Sequence, residues 1–208
     1  MLSFALAVFL LIITPGPGVL TTAGVGAAFG ARAGIRYIAG LFVGTNLVGL
    51  AVVSGVAAIV LATPIIRNIL LVLSVFYLVY LALRIAFAGA HIAFIKATNK
   101  PGFFSGIALQ IINPKAYAVN TTLFSGFAFL PQSLLGETLI KFLILNAIWI
   151  PIHFLWLFAG ATVNRMELAP ATQFKVNLAM AGALLAVVGL ALYSLSNQTT
   201  GVINGAPL

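Results

Sequence analysis

The sequence predicts an all-α integral membrane protein: six transmembrane helices forming two inverted three-helix repeats, with the first and fourth helices broken. Three observations predict it. Apolar runs long enough to cross a hydrocarbon core recur along the 208 residues, of which 62% are hydrophobic and 6% charged, and the mean hydropathy is +1.20. Nearly all the basic residues fall singly in or beside short connections between those runs. Two runs, at corresponding places in the two halves, are interrupted in mid-course by proline. A β-barrel would alternate apolar and polar residues in segments of about ten, and this chain does not.

The first span covers about 2–28. The apolar stretch "LSFALAVFLLII" leads into "TPGPG" at 14–18, after which apolar character resumes as far as Phe29. The second span covers about 37–62 and the third about 66–89. The polar stretch "HIAFIKATNKPG" separates them from the fourth span, about 103–130, interrupted at Asn113-Pro114. The fifth covers about 137–162 and the sixth about 173–195. Each is long enough to cross with some tilt. The uncharged tail "SNQTTGVINGAPL" is expected to be loose. The chain thus divides as one transmembrane domain, with repeat one at about 1–90, a linker at about 91–102, repeat two at about 103–196 and the tail at 197–208.

Charge sets the expected orientation. Arg32, Arg36, Arg84, Lys96, Lys100, Arg165 and Lys175 fall on one side, Arg67 and Lys141 on the other, and Lys115 lies inside span four. By the positive-inside rule the richer side is cytoplasmic and both termini are periplasmic. The net charge of +8 does not imply nucleic acid, because no basic stripe interleaved with aromatics exists. With no Cys, and with two His and two acids far apart, no metal or cofactor site is expected. Glu137 and Glu167 stand at connections and are expected to be solvated. The N-terminus has no basic n-region, so a removed signal peptide is not expected.

A faint internal repeat supports the halves. At an offset of 99, Phe4, Leu10, Ile12, Ile13, Pro15 and Thr22 meet Phe103, Leu109, Ile111, Ile112, Pro114 and Thr121. Two three-span halves in one chain must be inverted relative to each other, a layout many secondary transporters share.

The breaks carry the functional expectation. Thr14 precedes Pro15, and Asn113 precedes Pro114: in each, an N-capping residue stands before a proline suited to the first helical position. At 1.5 Å per residue both breaks lie roughly 16 Å into their spans, near the midplane. Freed backbone groups there must face protein or a wet cavity. Lys115 is the one clearly intramembrane charge, and beside two positive helix ends it suits a carboxylate or another anion. Its alternative role is to tie unwound carbonyls. The candidate substrate-binding residues are Thr14, Pro15, Gly16, Pro17, Asn46, Asn113, Pro114 and Lys115. Thr45, Gln110 and Asn120 are further neutral acceptors for an amino group. Asn46 has an interhelical hydrogen bond as its alternative role.

In span five, Asn146, Trp149 and His153 share a face, and His153 is the candidate proton carrier, with a neutral packed histidine as the alternative. Trp149 and Trp156 are read as packing or lipid-contact residues, and Arg84 as reaching headgroups. Gly26, Gly30 and Gly34, and Gly40 with Gly44, permit close helix contact within the chain or in a homodimer.

"LLIITPGPGVL", "GARAGIRYIAGLFVGTNL", "FYLVYLALRI", "FFSGIALQIINPKAYAV" and "MAGALLAVVGLALYSL" resemble, in order and over nearly the whole chain, the lysine exporter (LysE/RhtB-type) family of bacterial inner-membrane translocators. The resemblance implies six-helix, proton-driven exporters of amino acids. Thr14, Pro15, Gly16 and Pro17, then Asn113, Pro114 and Lys115, match its signature segments. Two positions depart from it. Gly18 stands where many members have Asn, and Thr45 and Asn46 follow Gly44 where many have Asp. The missing acid argues against a cationic substrate. The expectation is therefore a secondary-active exporter of small neutral amino acids or related metabolites, not an enzyme. An anion exporter and a structural membrane subunit are the alternatives.

Overall fold

In the computed structural model, residues 1–14, 16–55, 57–58, 62–87, 100–166 and 168–203 are described. Pro15, the stretch holding His91 and Lys96, Glu167, the last five residues and the Arg67 side chain lie outside the described residues. Among the described residues there are seven helices and no strand. They are α1 (Leu2–Ile13), α2 (Pro17–Val53), α3 (Pro64–Ala86), α4 (Phe103–Ile112), α5 (Pro114–Gly126), α6 (Leu134–Arg165) and α7 (Pro170–Ile203). Three stretches among the described residues are long and apolar enough to cross a membrane: Pro17–Val53, Asn68–Ala86 and Leu134–Arg165.

The helix α2 doubles back on itself. Gly30 has φ 78° and ψ 174°, a conformation that glycine alone adopts without strain. Beyond it the chain returns along its own first arm, and the Tyr37 hydroxyl donates to Thr21 Oγ1 at 3.0 Å. The neighbours on α6 show the same reversal. Along the first arm Gly18 faces His153 and Ala27 faces Asn164, so numbers rise together and the two run parallel. Along the second arm Gly34 faces Leu157, Phe42 faces Trp149 and Gly49 faces Phe142, so this arm runs antiparallel. The hairpin thus separates the first and second expected spans. Gly30 serves as its corner rather than as a contact residue.

The two broken spans cross antiparallel. Phe4 packs on Phe127 with ring centroids 5.8 Å apart, Lys115 Nζ donates to the Thr14 carbonyl, and Gly18 faces Gln110. The breaks therefore meet in the middle of the molecule.

Backbone comes very close in the half of the molecule nearest the hairpin corner. A methyl on Gly160 would strike the Ala23 carbonyl oxygen, and one on Gly26 would lie 2.6 Å from the Leu157 carbonyl oxygen. Gly40 meets the Phe103 backbone, and Gly106 meets Tyr37 and Leu41. Small residues permit such approach between membrane helices.

At the other end a charged pair is buried. Glu137 Oε1 lies 2.7 Å from Lys141 Nζ, with 9% and 4% of the side chains exposed. Glu137 Oε2 accepts from the amides of Phe129 and Leu130, and Lys141 also donates to the Phe124 carbonyl at 3.0 Å. Glu137 is thus not solvated as expected. The chain leaving α5 presents free amides and a carbonyl, and the pair satisfies both. Lys141 accordingly drops out of the loop charges that set orientation.

Arg84 donates to the Tyr80 hydroxyl one turn away. One further expectation changes. Helix α7 continues to Ile203, past the expected start of the loose tail. Extending a formed helix needs no new nucleus, so a polar, uncharged continuation stays helical.

Between the second arm of α2 and α6, Asn46 and Asn146 exchange both amide hydrogen bonds, at 3.1 and 2.9 Å.

Candidate functional site

The second break forms as the sequence predicts. Asn113 is extended, its side chain accepts from the Lys115 amide at 3.1 Å, and Pro114 opens α5. The Tyr117 hydroxyl reaches back to the Ile111 carbonyl at 2.9 Å, which satisfies a group freed at the end of α4.

The first break differs. Thr14 does not cap the following helix. Its hydroxyl bonds back to the Leu10 carbonyl at 2.5 Å and closes α1. The next helix starts at Pro17, behind an extended Gly16. The reason is local: Pro17 disfavours the α conformation for the residue before it, and Gly16 is extended, so the helix opens at Pro17.

Lys115 joins the two breaks. Its Nζ donates to the Thr14 carbonyl oxygen at 2.9 Å, at the C-terminal and electronegative end of α1. Gly16 makes room for it, since a methyl there would lie 2.8 Å from both Cδ and Nζ. The carbonyl-tying role is therefore present. It uses one of the three ammonium hydrogens and leaves the charge in place.

Around this crossing lies a cavity, partly open to the outside, whose empty space is roughly 480 Å³ with the open mouth included. Thr14, Gly16, Asn113, Lys115 and His153 line it, so it gathers five of the residues expected from the sequence. Thr45, Gln110 and Asn120 line it as well. Leu11, Val19, Val119 and Leu145 supply an apolar wall. Pro17 and Pro114 shape the chain without lining the cavity, and Pro15 lies outside the described residues. Asn46 does not line it, because its amide is spent on Asn146.

Two features went beyond the sequence reading. Trp149, read as a packing residue, is 3% exposed, lines the cavity and stacks on His153 with centroids 3.5 Å apart at 16°. Asn120 is 2% exposed and donates to the Ala116 carbonyl, while its Oδ1 has no hydrogen-bond partner. A buried acceptor without a donor is costly, by about 1–3 kcal/mol. Nothing in a one-dimensional sequence marks such an atom.

Chemically, the cavity offers one cation, several neutral acceptors and no carboxylate among the residues lining it. No group of His, Cys, Asp and Glu able to hold a metal ion is found among the described residues.

Residues 9–196 match the family model "LysE type translocator". The chain is similar to the leucine efflux protein of Salmonella typhimurium, 27% identical over 130 residues, covering 60% of this chain and 61% of that one. It is also similar to the leucine efflux protein of Enterobacter sp. (strain 638), 25% identical over 173 residues, covering 78% and 80%. The match thus spans about three fifths of the Salmonella relative's length. No solved structure matches.

Proposed function

The chain belongs to the LysE type translocator family, and from that premise we propose that it is a proton-coupled, secondary-active exporter of small neutral amino acids, and not an enzyme. It is a multi-pass membrane protein, placed in this reading in the bacterial inner membrane with both termini periplasmic. Leucine is the first substrate to try, as both relatives are named for its efflux.

The observation that carries the reading is the meeting of two interrupted helices at a cavity bridged by Lys115. Paired broken helices at corresponding positions of two halves are the usual place for a transporter's substrate. In this reading the substrate carboxylate binds Lys115, with Thr14, Gly16, Asn113 and Gln110 around it. Its side chain lies against Leu11, Val19, Val119 and Leu145. His153 is the acceptor for a donor on the substrate and is the proton carrier. A cationic side chain finds no acid partner there.

Six crossings in two inverted repeats are part of the proposal, and the contacts support it. Asn46 and Asn146 bond reciprocally, as two residues related by a two-fold axis would; they are 100 residues apart, one more than the offset of 99 between the broken spans. Shifting by the same 100 turns the contact of Phe42 with Trp149 into that of Phe142 with Gly49.

The test is transport by purified protein in liposomes, with a panel of labelled neutral amino acids headed by leucine and an imposed pH gradient. Gradient-driven leucine movement is expected. Lys115→Met should weaken apparent affinity by about tenfold or more, the value of a charge-assisted hydrogen bond. Movement unchanged in the variant sinks the carboxylate site. The lone cation without an acid also favours a second reading, export of an anion. Movement of small anions but of no amino acid would establish that one instead.

A further inference from the structure

His153 is 3% exposed, and its Nδ1 lies 2.9 Å from the Trp149 carbonyl oxygen. A carbonyl can only accept. Nδ1 therefore carries the hydrogen in the neutral ring, and Nε2 keeps a lone pair. That lone pair is turned toward Gly18, where a methyl would lie 3.5 Å away, and the ring lines the cavity. Nothing on Gly18 covers it. Lys115 Nζ lies against Gly16, two residues earlier. A cation and a bare nitrogen acceptor thus face the extended Gly16 and the first turn of α2, two residues apart, an arrangement that fits the carboxylate and the ammonium of a single α-amino acid.

The Nε2 atom has one lone pair. It can accept a hydrogen bond from an ammonium, or it can hold a proton, but not both. We propose that the substrate's ammonium and a proton exclude one another at His153 Nε2, so that each amino acid leaving the site is replaced by one proton. This inference rests on the exporter reading and supplies its coupling step. The proton comes from the outer solution and forms the imidazolium as the ammonium departs. It is given up to the inner solution before the next ammonium binds. One positive charge then moves inward for each zwitterion moved outward.

The surroundings suit this exchange. The Trp149 indole stacked on the ring offers its π face to an imidazolium. The helices α1, α2 and α4 contribute no charged side chain to the cavity, and α5 contributes Lys115. With no carboxylate among the lining residues, nothing pins the imidazolium permanently. The bound substrate carboxylate also leaves with the ammonium. A carboxylate without an amino group occupies Lys115 but does not displace the proton.

The experiment measures binding and proton release in purified protein, in weak buffer with a pH dye, using leucine and 4-methylpentanoate. In the acid range leucine should release about one proton per molecule bound, and its affinity should weaken by about tenfold per pH unit as pH falls. Reckoned on its ionised fraction, since its own carboxyl titrates in the acid range, 4-methylpentanoate should show no such slope, and the protein should release no proton on binding it. In His153→Gln, which keeps an acceptor but cannot titrate, leucine should bind without proton release and without the slope. Leucine binding to wild type with neither proton release nor slope overturns the inference while leaving the exporter standing. Release that persists in the variant places the proton elsewhere and also overturns it. If no neutral amino acid binds or moves in the liposomes, the exporter reading falls and this one falls with it. The wild-type measurements decide even if the variant does not fold.

Discussion

A lysine partly buried between apolar helices must find acceptors, and Lys115 finds its first in the Thr14 carbonyl. Gly16 is what permits this, so side-chain bulk there should act through Lys115. We expect Gly16→Val to displace the ammonium and lower the initial rate of leucine transport by about tenfold or more, with the protein still inserted and extractable. An unchanged rate would show that Lys115 reaches its partner by another path. Lys115 itself was legible in the sequence, because one charge in a long apolar run stands out as a functional candidate. The behaviour of Thr14 also had a local signal, since Pro17 disfavours helix at Gly16. Asn46 could not be read. Whether a mid-span amide binds substrate or a neighbouring helix depends on which residue the fold brings opposite, and here that is Asn146.

At the scale of elements, the breaks at 14–16 and 113 follow from proline chemistry and were visible in the sequence. The hairpin corner was visible only as a glycine among two arginines, and the spacing of Gly26, Gly30 and Gly34 suggested three equivalent contacts. The left-handed φ of Gly30 sets it apart, and that is a property of the turn rather than of the pattern. The pairing of α2 with α6 depends on missing side chains. Gly160→Val should push the Ala23 backbone away and cost about 1–3 kcal/mol or more, read as a lower melting temperature in detergent. The Asn46–Asn146 bonds join the same two helices. Single alanine replacements should each destabilise, and a double-mutant cycle should return a coupling of about 0.6–2 kcal/mol. A coupling near zero would mean that the amides bond to lipid-facing water or backbone as readily as to each other.

For the whole molecule, the absence of cysteine makes orientation directly measurable. Single cysteines at Leu134 and at Arg36 should label from opposite sides of the membrane, Leu134 from the periplasm. Labelling of both from one side would refute the crossing count. With Lys141 buried against Glu137, the charge asymmetry is steeper than the sequence suggested. Lys141→Met should lower the melting temperature by several degrees without altering which side labels. A change of side would return Lys141 to the charges that set orientation. That the two breaks meet was legible because prolines interrupt two apolar runs at corresponding places. The sequence did not disclose the ion pair, because burial of a charge near a helix end depends on a loop whose amides need an acceptor. The paired asparagines have one more consequence. If the halves trade shapes during a cycle, contacts such as Phe42 with Trp149 change places with their mates, but a residue bonded to its own mate keeps the same partner. Asn46 and Asn146 are then a fulcrum, gripped at both ends of the stroke. A covalent staple there should leave the machine running, whereas one between Ala23 and Gly160 should stall it.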